Sequence, residues 1–297
     1  MEQSLLTVVL LPAALGVIML GLGLTLTLDD FRRVVAFPRA VFVGLSCQML
    51  VLPLVCFAVA KAFALPPEFA VGLMLLSASP GGATANLFSH LAHGDVALNI
   101  TLTAVNSVLS LFSLPFIVNF ALERFMGEGK MIPLQFGKVL QVFAIVLIPV
   151  AIGMAIRAAN APFARKLEKP IRVISATVLL VVICGAIIKE RARVLEYLQL
   201  VGAAAFTFNV VSMAIGFFVP LAFKLPRRQA IAIGMEIGVH NGTLAIAIAS
   251  SPLLLNNSLM AIPAAIYSLI MFFTASAFGF LVSRRRSPVQ KSVEGSD

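Results

Sequence analysis

Long apolar runs separated by short polar connections make up most of the chain. Each run is about the length that an α-helix needs to cross a bilayer, roughly 20 residues for a hydrocarbon core of ~30 Å. The pattern predicts nine spanning helices, at residues 5–28, 38–62, 67–91, 95–121, 133–158, 170–189, 198–223, 229–250 and 260–282. We therefore predict an all-α polytopic membrane protein, with one transmembrane unit over residues 1–283 and a polar tail over 284–297.

Two of the nine runs contain polar, glycine-containing segments. The third run is interrupted at residues 79–87, and the eighth is interrupted at residues 238–244, just after Glu236. A carboxylate in hydrocarbon costs roughly 2.5–3.5 kcal/mol on insertion scales, so Glu236 is not expected to face lipid. The two segments predict helices that are broken within the membrane and that cross at residues 80–82 and 238–242.

The two interrupted runs begin alike. Leu65-Pro66 precedes the third run, and Leu225-Pro226 precedes the eighth run 160 residues later. The two copies lie an odd number of spans apart, so they run in opposite directions across the membrane. A Leu-Pro pair alone could recur by chance in a leucine-rich chain, but here a polar break follows each pair. Inverted repeats with interrupted helices indicate the substrate site of a transporter.

The composition agrees with a membrane protein and argues against several other classes of protein. Hydrophobic residues make up 60% of the chain and charged residues 12%, whereas soluble domains carry about 25% charged residues. The net charge of +9 does not indicate nucleic-acid binding, because the basic residues cluster in short loops between spans. Cys47, Cys56 and Cys184 lie inside apolar runs and are expected to be buried free thiols. The sequence has no His-Glu-x-x-His motif, so a zinc-dependent intramembrane enzyme has no support.

The distribution of basic residues predicts the orientation of the chain. Fifteen of them lie in the odd-numbered loops and the tail: Arg32, Arg33, Arg39, Arg157, Arg165, Lys166, Lys169, Arg172, Lys224, Arg227, Arg228, Arg284, Arg285, Arg286 and Lys291. Seven lie on the other side: Lys61, Arg124, Lys130, Lys138, Lys189, Arg191 and Arg193. Cytoplasmic loops carry the excess of Lys and Arg, so the N-terminus is predicted outside and the C-terminus in the cytoplasm of a bacterial inner membrane. The first run lacks the basic leader and cleavage site of a signal peptide and is expected to remain as a span.

A helix broken within the membrane exposes both ends of its backbone. The first half ends in free carbonyl groups and the second half begins with free N–H groups. Such groups are tolerated at that depth only inside protein or beside a water-filled cavity. The N-terminal ends carry roughly +0.5 charge each, so two of them facing one cavity favour a carboxylate substrate. The carbonyl oxygens suit Na⁺, and Glu236 supplies the fixed negative charge that favours entry of a cation.

The second and fourth spans offer further oxygen ligands. Asn99 and Thr103 are four residues apart and share one helical face. Thr101 and Asn106 lie nearby, but polar residues in spanning helices also join neighbouring helices, and for these two that interpretation is at least as good. Gln48, within the second run, is open to both interpretations.

Histidine leaves two alternatives at the second break. His240 could take up a proton and respond to pH, or it could contribute only its backbone carbonyl. The carbonyl is favoured, because an imidazolium beside Na⁺ would oppose cation binding. His90 and His93, at the end of the third span, are expected at the membrane surface.

Together these motifs resemble the bile acid:sodium symporter (BASS) family. The resemblance rests on Gly21-Leu-Gly23, Ser79-Pro80-Gly81-Gly82 with Asn86, Gly94-Asp95, and Glu236-Ile237-Gly238-Val239-His240-Asn241. The resemblance extends over essentially the whole chain, and the chain is similar to the nine-span members of the family. The family implies a core domain and a panel domain, inverted repeats, two unwound helices that cross, and two Na⁺ ions behind the crossing.

The resemblance also implies which residues bind the ions and the substrate. The first sodium site would comprise Asn86, Asn99, Thr103 and Glu236. The second would comprise Gln48 and Glu236 with the backbone region of Ile237, Val239 and His240. The organic anion would contact Gly82, Ala83, Thr84, Asn241 and Gly242. No cofactor is implied besides Na⁺ as the coupling ion.

Departures from the family pattern bear on coupling and substrate. Ala85 stands where many members carry a ligating Ser, although Asn99, where a Ser is usual, offers a replacement oxygen. His240 stands where Gln is common. Because of the departures at Ala85 and His240, the Na⁺ stoichiometry and the choice between Na⁺ and H⁺ stay open. Met271-Phe272 stands where bile-acid-transporting relatives carry a polar His-Asn pair, so a small carboxylic acid is at least as well supported as a bile-acid-like anion.

We therefore predict a sodium-coupled importer of an organic anion that works by alternating access, and not an enzyme. A proton-coupled carrier and a cation or metalloid exchanger are alternatives, but an arsenite carrier is expected to use a thiol and neither break contains Cys. A channel or a sensor is a further alternative, with the breaks as a conduction or binding site. The expected partners are the substrate anion, sodium ions and the lipid bilayer, without nucleic acid, for a monomer or weak oligomer.

Overall fold

The computed structural model describes residues 16–127, 136–171, 173–174, 177, 194–251 and 254–283. Over these residues the chain forms helices and connecting turns, and no strand longer than an isolated bridge. The helices, numbered in chain order, are α1 (Gly16–Thr25), α2 (Leu28–Arg32), α3 (Pro38–Ala62), α4 (Pro67–Ala78), α5 (Ala83–Leu91), α6 (Val96–Met126), α7 (Phe136–Ala159), α8 (161–171), α9 (Val194–Ala222), α10 (Arg227–Gly238), α11 (Gly242–Ser250) and α12 (Ile262–Ser283).

Helix length and surface composition confirm an all-α membrane protein. Four described helices are long and apolar enough to cross a bilayer: Pro38–Ala62, Val96–Met126, Leu195–Ala222 and Leu259–Ser283. Large apolar side chains lie on their surfaces, including Phe116 at 77% and Phe273 at 79% exposure, as expected for residues that face lipid. The predicted second span agrees with α3 at both ends.

Part of the predicted topology lies outside the described residues. This applies to the first residues of span 5–28, to most of span 170–189 with Cys184, and to the tail at 284–297. The count of nine spans therefore stays a prediction. The other two cysteines, Cys47 and Cys56, are buried free thiols as expected.

The two predicted helix breaks are present, and each is shorter than the polar segment that predicted it. The residue before a proline is driven out of the helical region, and Ser79, before Pro80, is extended with φ −75° and ψ 146°. This ends α4 at Ala78, and α5 starts at Ala83. The second break spans only residues 239–241, between α10 and α11.

The turns that lead into α4 and α10 have the same conformation, 160 residues apart. Ala64 and Lys224 are both left-handed, with φ of 46° and 58°, which is a common way to end a helix. Pro66 and Pro226 then start the next helix with nearly equal backbone angles, ψ 146° and 143°. The repeat inferred from the Leu-Pro pairs is therefore a repeat of local structure.

Hydrogen bonds between connections show which helix ends lie together. The Asp95 N–H, between α5 and α6, donates to the Arg228 carbonyl at the start of α10 at 2.9 Å. The Arg39 guanidinium, at the start of α3, donates to the Phe223 carbonyl after α9 at 3.2 Å. These ends share one side of the molecule, as the predicted alternation of spans requires. Which side faces the cytoplasm stays a prediction.

Helix α1 packs directly against α7. A Cβ added at Gly153 of α7 would lie 2.6 Å from the Leu20 carbonyl oxygen and 2.7 Å from the Leu24 nitrogen, so the two backbones touch only because this residue is glycine. Helices α3–α6 and α9–α12 contribute most of the buried apolar core, which surrounds the two breaks.

Candidate functional site

The two breaks cross and bind each other through their backbones. The Gly82 N–H donates to the Val239 carbonyl at 2.9 Å, and the Asn241 N–H donates to the Pro80 carbonyl at 2.8 Å. These bonds form an antiparallel bridge centred on Gly81 and His240. The bridge satisfies some of the groups that broken helices leave free. It also shows that the two segments run in opposite directions where they meet.

Glu236 lies at this crossing, in the last turn of α10, and is 1% exposed. The Gly81 N–H donates to Oε1 at 3.2 Å, and the Thr103 hydroxyl of α6 donates to Oε2 at 2.6 Å. A Cβ at Gly81 would overlap the Glu236 carboxylate, so the absence of a side chain there makes room for the acid. The ion pairs seen in the described part of the chain are Arg32–Asp29 and Arg33–Asp30, both away from this carboxylate.

Amide side chains from three helices leave buried oxygens without donors. The Gln48 amide nitrogen on α3 donates to the carbonyls of Ser77 and Ser79, at 3.1 and 3.0 Å. The Asn99 amide nitrogen on α6 donates to the Ala232 carbonyl at 2.8 Å. The side-chain oxygens of Gln48, Asn99 and Asn86 have no hydrogen-bond partner among the described residues. Buried polar atoms normally have a hydrogen-bond partner, so these three oxygens are suited to bind a cation that prefers oxygen ligands.

The second break contributes buried backbone groups to the crossing. Ile237, Val239 and His240 are all buried. The His240 carbonyl accepts from the Gly242 N–H at 3.0 Å. The imidazole Nδ1 lies 3.2 Å from the Ser79 carbonyl oxygen, and because a carbonyl only accepts, this contact requires a proton on Nδ1.

The opposite ends of the breaks present helix N-termini. Gly82 precedes the first turn of α5, and Asn241 caps α11 with its side-chain oxygen, which accepts from the Leu244 N–H at 3.0 Å. Because Oδ1 of Asn241 is occupied, its NH₂ group is the part left to donate to a ligand. Thr84 and Asn241 are half-buried, and a side chain at Gly242 would overlap the Ser268 hydroxyl. Ala83 opens α5, and its side chain lies outside the described part of the structure.

The predicted ligands are only partly joined by direct contacts. Thr103 and Glu236 are hydrogen-bonded, Gln48 and His240 meet at the Ser79 carbonyl, and Asn99 contacts α10 one turn before Glu236. Asn86, half-buried on α5, makes no such bond through its oxygen.

Two buried polar residues at the crossing were missed from the sequence. The Asn209 amide nitrogen and the Tyr267 hydroxyl both donate to the Gly238 carbonyl, each at 2.9 Å. Their only sequence signal was a polar group within an apolar run. Thr101 donates to the Ala97 carbonyl of its own helix and not to a neighbouring helix.

An all-α membrane protein whose polar centre is formed by two interrupted, oppositely directed helices has the architecture of a secondary transporter. The model of the sodium bile acid symporter family matches residues 12–197. The chain belongs to this family, and the resemblance inferred from its motifs is confirmed.

Three relatives illustrate the range of the family. The chain is 28% identical over 283 residues to the uncharacterized sodium-dependent transporter YocS of Bacillus subtilis (strain 168), covering 95% of this chain and 84% of the relative. It is 28% identical over 280 residues to the probable chloroplastic sodium/metabolite cotransporter BASS1 of Arabidopsis thaliana, covering 93% and 67%. It is 25% identical over 250 residues to the ileal sodium/bile acid cotransporter of Oryctolagus cuniculus, covering 82% and 70%.

Proposed function

We propose that the protein couples the inward movement of Na⁺ to the import of an organic anion. The observation that carries this proposal is Glu236, buried at the crossing with no ionic partner among the residues that the structure describes. A buried carboxylate is strongly unfavourable unless a positive charge accompanies it. A bound cation supplies that charge, and the sodium dependence in the names of the three relatives supports Na⁺.

The proposed sodium ligands are side-chain oxygens without a described donor, the Glu236 carboxylate with the hydroxyl bonded to it, and backbone of the second break. Carbonyl groups of unwound helices and the C-terminal ends of half-helices coordinate Na⁺ in transporters of this kind. One proposed site comprises Asn86, Asn99, Thr103 and Glu236. The other comprises Gln48 and Glu236 with the backbone of Ile237, Val239 and His240.

The proposed anion site lies at the N-terminal ends of α5 and α11. Neither break contains Lys or Arg, so the charge of the anion would be met by helix dipoles, by the Asn241 NH₂ group and by bound Na⁺. The residues proposed to line this site are Gly82, Ala83, Thr84, Asn241 and Gly242. This arrangement gives a physical reason for coupling, because the anion binds poorly beside Glu236 until cations neutralise it.

The apolar character of α12 near the crossing favours a small organic acid as the substrate. Met271 is buried, and Phe272 packs against Phe88 on α5 with ring centroids 6.0 Å apart. Such side chains offer no hydrogen bond to the hydroxyl groups of a polyhydroxylated bile salt.

Alternating access is proposed to occur between two groups of helices. The close packing of α1 on α7 through Gly153 supports a separate panel, and the crossing with its surrounding helices would form the core. We further propose that residues 1–283 form a single nine-span unit, with the N-terminus outside and the C-terminus in the cytoplasm of a bacterial inner membrane.

Uptake into vesicles tests the proposed function. Candidate carboxylic acids are first screened for stabilisation of the purified protein, with and without NaCl, because a ligand that binds the folded state raises its Tm by mass action. The best acid is then followed in proteoliposomes under an inward Na⁺ gradient. Concentrative uptake that requires Na⁺ supports the proposal. Uptake that follows a proton gradient and ignores Na⁺ would favour proton coupling instead.

Thr103→Val is expected to raise the Na⁺ concentration for half-maximal uptake by a factor of about ten or more. The change removes a hydroxyl that donates to Glu236 while it keeps the size of the side chain. A hydrogen bond to a charged group contributes about 1.5–3 kcal/mol, and about 1.4 kcal/mol corresponds to a tenfold change in affinity.

Thr101→Val is the matched control, because the Thr101 hydroxyl bonds only to its own helix. Its Na⁺ dependence is expected to equal that of the wild type. Equal half-maximal concentrations in both valine variants would remove Thr103 from the proposed site.

A further inference from the structure

The carbonyl of Gly238 receives hydrogen bonds from two other helices. Gly238 is the last residue of α10, so its carbonyl lies at the end where intrahelical partners run out. Asn209 of α9 donates from its amide nitrogen at 2.9 Å, and Tyr267 of α12 donates from its hydroxyl at 2.9 Å. Both side chains are fully buried. The two donors occupy both lone pairs of this oxygen and fix the peptide that follows it.

The peptide that follows belongs to the second break. Val239 presents its carbonyl to the Gly82 N–H, and the His240 ring stacks on Phe208 with centroids 5.9 Å apart and an interplanar angle of 11°. The Tyr267 ring lies 5.5 Å from the same imidazole. Helices α9 and α12 therefore contact the second break at two points, the Gly238 carbonyl before it and the His240 imidazole within it.

At the first break, in the other repeat, a side-chain amide also donates to carbonyls at the end of a half-helix. Gln48, on the helix before α4, donates its amide nitrogen to the carbonyls of Ser77 and Ser79. Position 208 lies 160 residues after Gln48, so Asn209 stands within one residue of the repeat-related position. In both cases the amide nitrogen holds the carbonyl end of a half-helix, and the amide oxygen has no described partner. Tyr267 is an additional donor at the second break.

We propose that Asn209 and Tyr267 are positioning residues that set the spacing of the Val239 and His240 carbonyls for Na⁺ by holding Gly238. This inference rests on the proposed function, because it assigns the two residues to the sodium site named there. Glu236 and the backbone carbonyls lie on different segments, and a cation fits between them only if the break keeps a fixed shape. The size of such a cage and the number of its oxygens decide which cation it accepts.

The test compares cation binding by purified variants that lose one donor each. Tyr267→Phe removes a single oxygen and keeps the ring beside His240, and Asn209→Ala removes the amide. Tm is measured across NaCl and LiCl concentrations at constant ionic strength. Each variant is expected to raise the midpoint of the Na⁺ response roughly three- to tenfold and to change the ratio of the Na⁺ and Li⁺ midpoints. In the double variant the rise is expected to be smaller than the product of the two single effects, because both donors act on one oxygen.

A matched control is Tyr197→Phe, on the same helix as Asn209 but about 18 Å away at 1.5 Å per residue. Its Na⁺ midpoint and its ion ratio are expected to equal those of the wild type. Lower Tm in Tyr267→Phe with an unchanged midpoint and ratio would overturn the inference and leave only a structural role. Tyr267→Phe alone decides the question if Asn209→Ala does not fold. A wild-type protein that shows no Na⁺ response would overturn the proposed function as well.

Discussion

Replacing Glu236 by glutamine is expected to lower sodium-driven uptake at least ~100-fold. The substitution keeps the shape of the side chain but removes the negative charge that the cation needs. Removing one partner of a buried charge pair costs about 2–5 kcal/mol, and about 2.8 kcal/mol corresponds to a 100-fold change in affinity. The glutamine oxygen can still accept from the Gly81 N–H or the Thr103 hydroxyl, so the crossing is expected to fold. Initial rates of anion uptake under an inward Na⁺ gradient measure the effect.

Glu196→Gln is the matched control for the loss of a carboxylate. Glu196 lies in the first turn of α9 and is exposed, far from the crossing along that helix. Its uptake is expected to equal that of the wild type. Wild-type uptake by Glu236→Gln would contradict the assigned role of the buried acid.

Placing a methyl group at Gly81 is expected to abolish Na⁺-dependent uptake. In Gly81→Ala the new Cβ would overlap the Glu236 carboxylate, so the acid must leave its position between the two breaks. Overpacking of a buried site costs about 1–3 kcal/mol, which is less than the roughly 5–15 kcal/mol by which native proteins are stable. The variant is expected to remain monodisperse in detergent and to lose the rise in Tm that NaCl produces.

Gly202→Ala is the control for adding the same methyl group elsewhere. Nothing lies within 4 Å of the Cβ at this position of α9, and alanine in a helix interior is favoured over glycine by roughly 0.5–1 kcal/mol. Uptake is expected to be unchanged and Tm to be equal or slightly raised. A normal Na⁺ response in Gly81→Ala would show that the Glu236 carboxylate does not need its place beside Gly81.

The sequence predicted the helical class and the two breaks because both depend on local chemistry. Apolar runs of bilayer length can only be helices in lipid, and Ser79-Pro80 cannot continue a helix. The polar segments nevertheless predicted longer breaks than the structure contains. Thr84 and Thr243 lie inside regular helices, since their hydroxyl groups do not prevent helix formation once a cap such as Asn241 starts the turn.

Long-range partners could not be predicted in the same way. The bridge between Gly81 and His240 joins residues more than 150 positions apart, and hydropathy carries no information on which peptides meet. The contacts of Asn209 and Tyr267 with Gly238 were missed for the same reason, because their helical faces are set by packing around the crossing. The repeat offset of 160 was the usable signal, since it places Asn209 beside the position that corresponds to Gln48.

Thermal denaturation of the purified protein across NaCl concentrations tests most directly whether the crossed breaks form a sodium site. Ionic strength is held constant with choline chloride, and Glu236→Gln is measured beside the wild type. We expect Tm of the wild type to rise with NaCl by mass action, with a saturable midpoint, and Tm of Glu236→Gln to stay constant. An equal rise in both proteins, or no rise in either, would contradict a sodium site at Glu236.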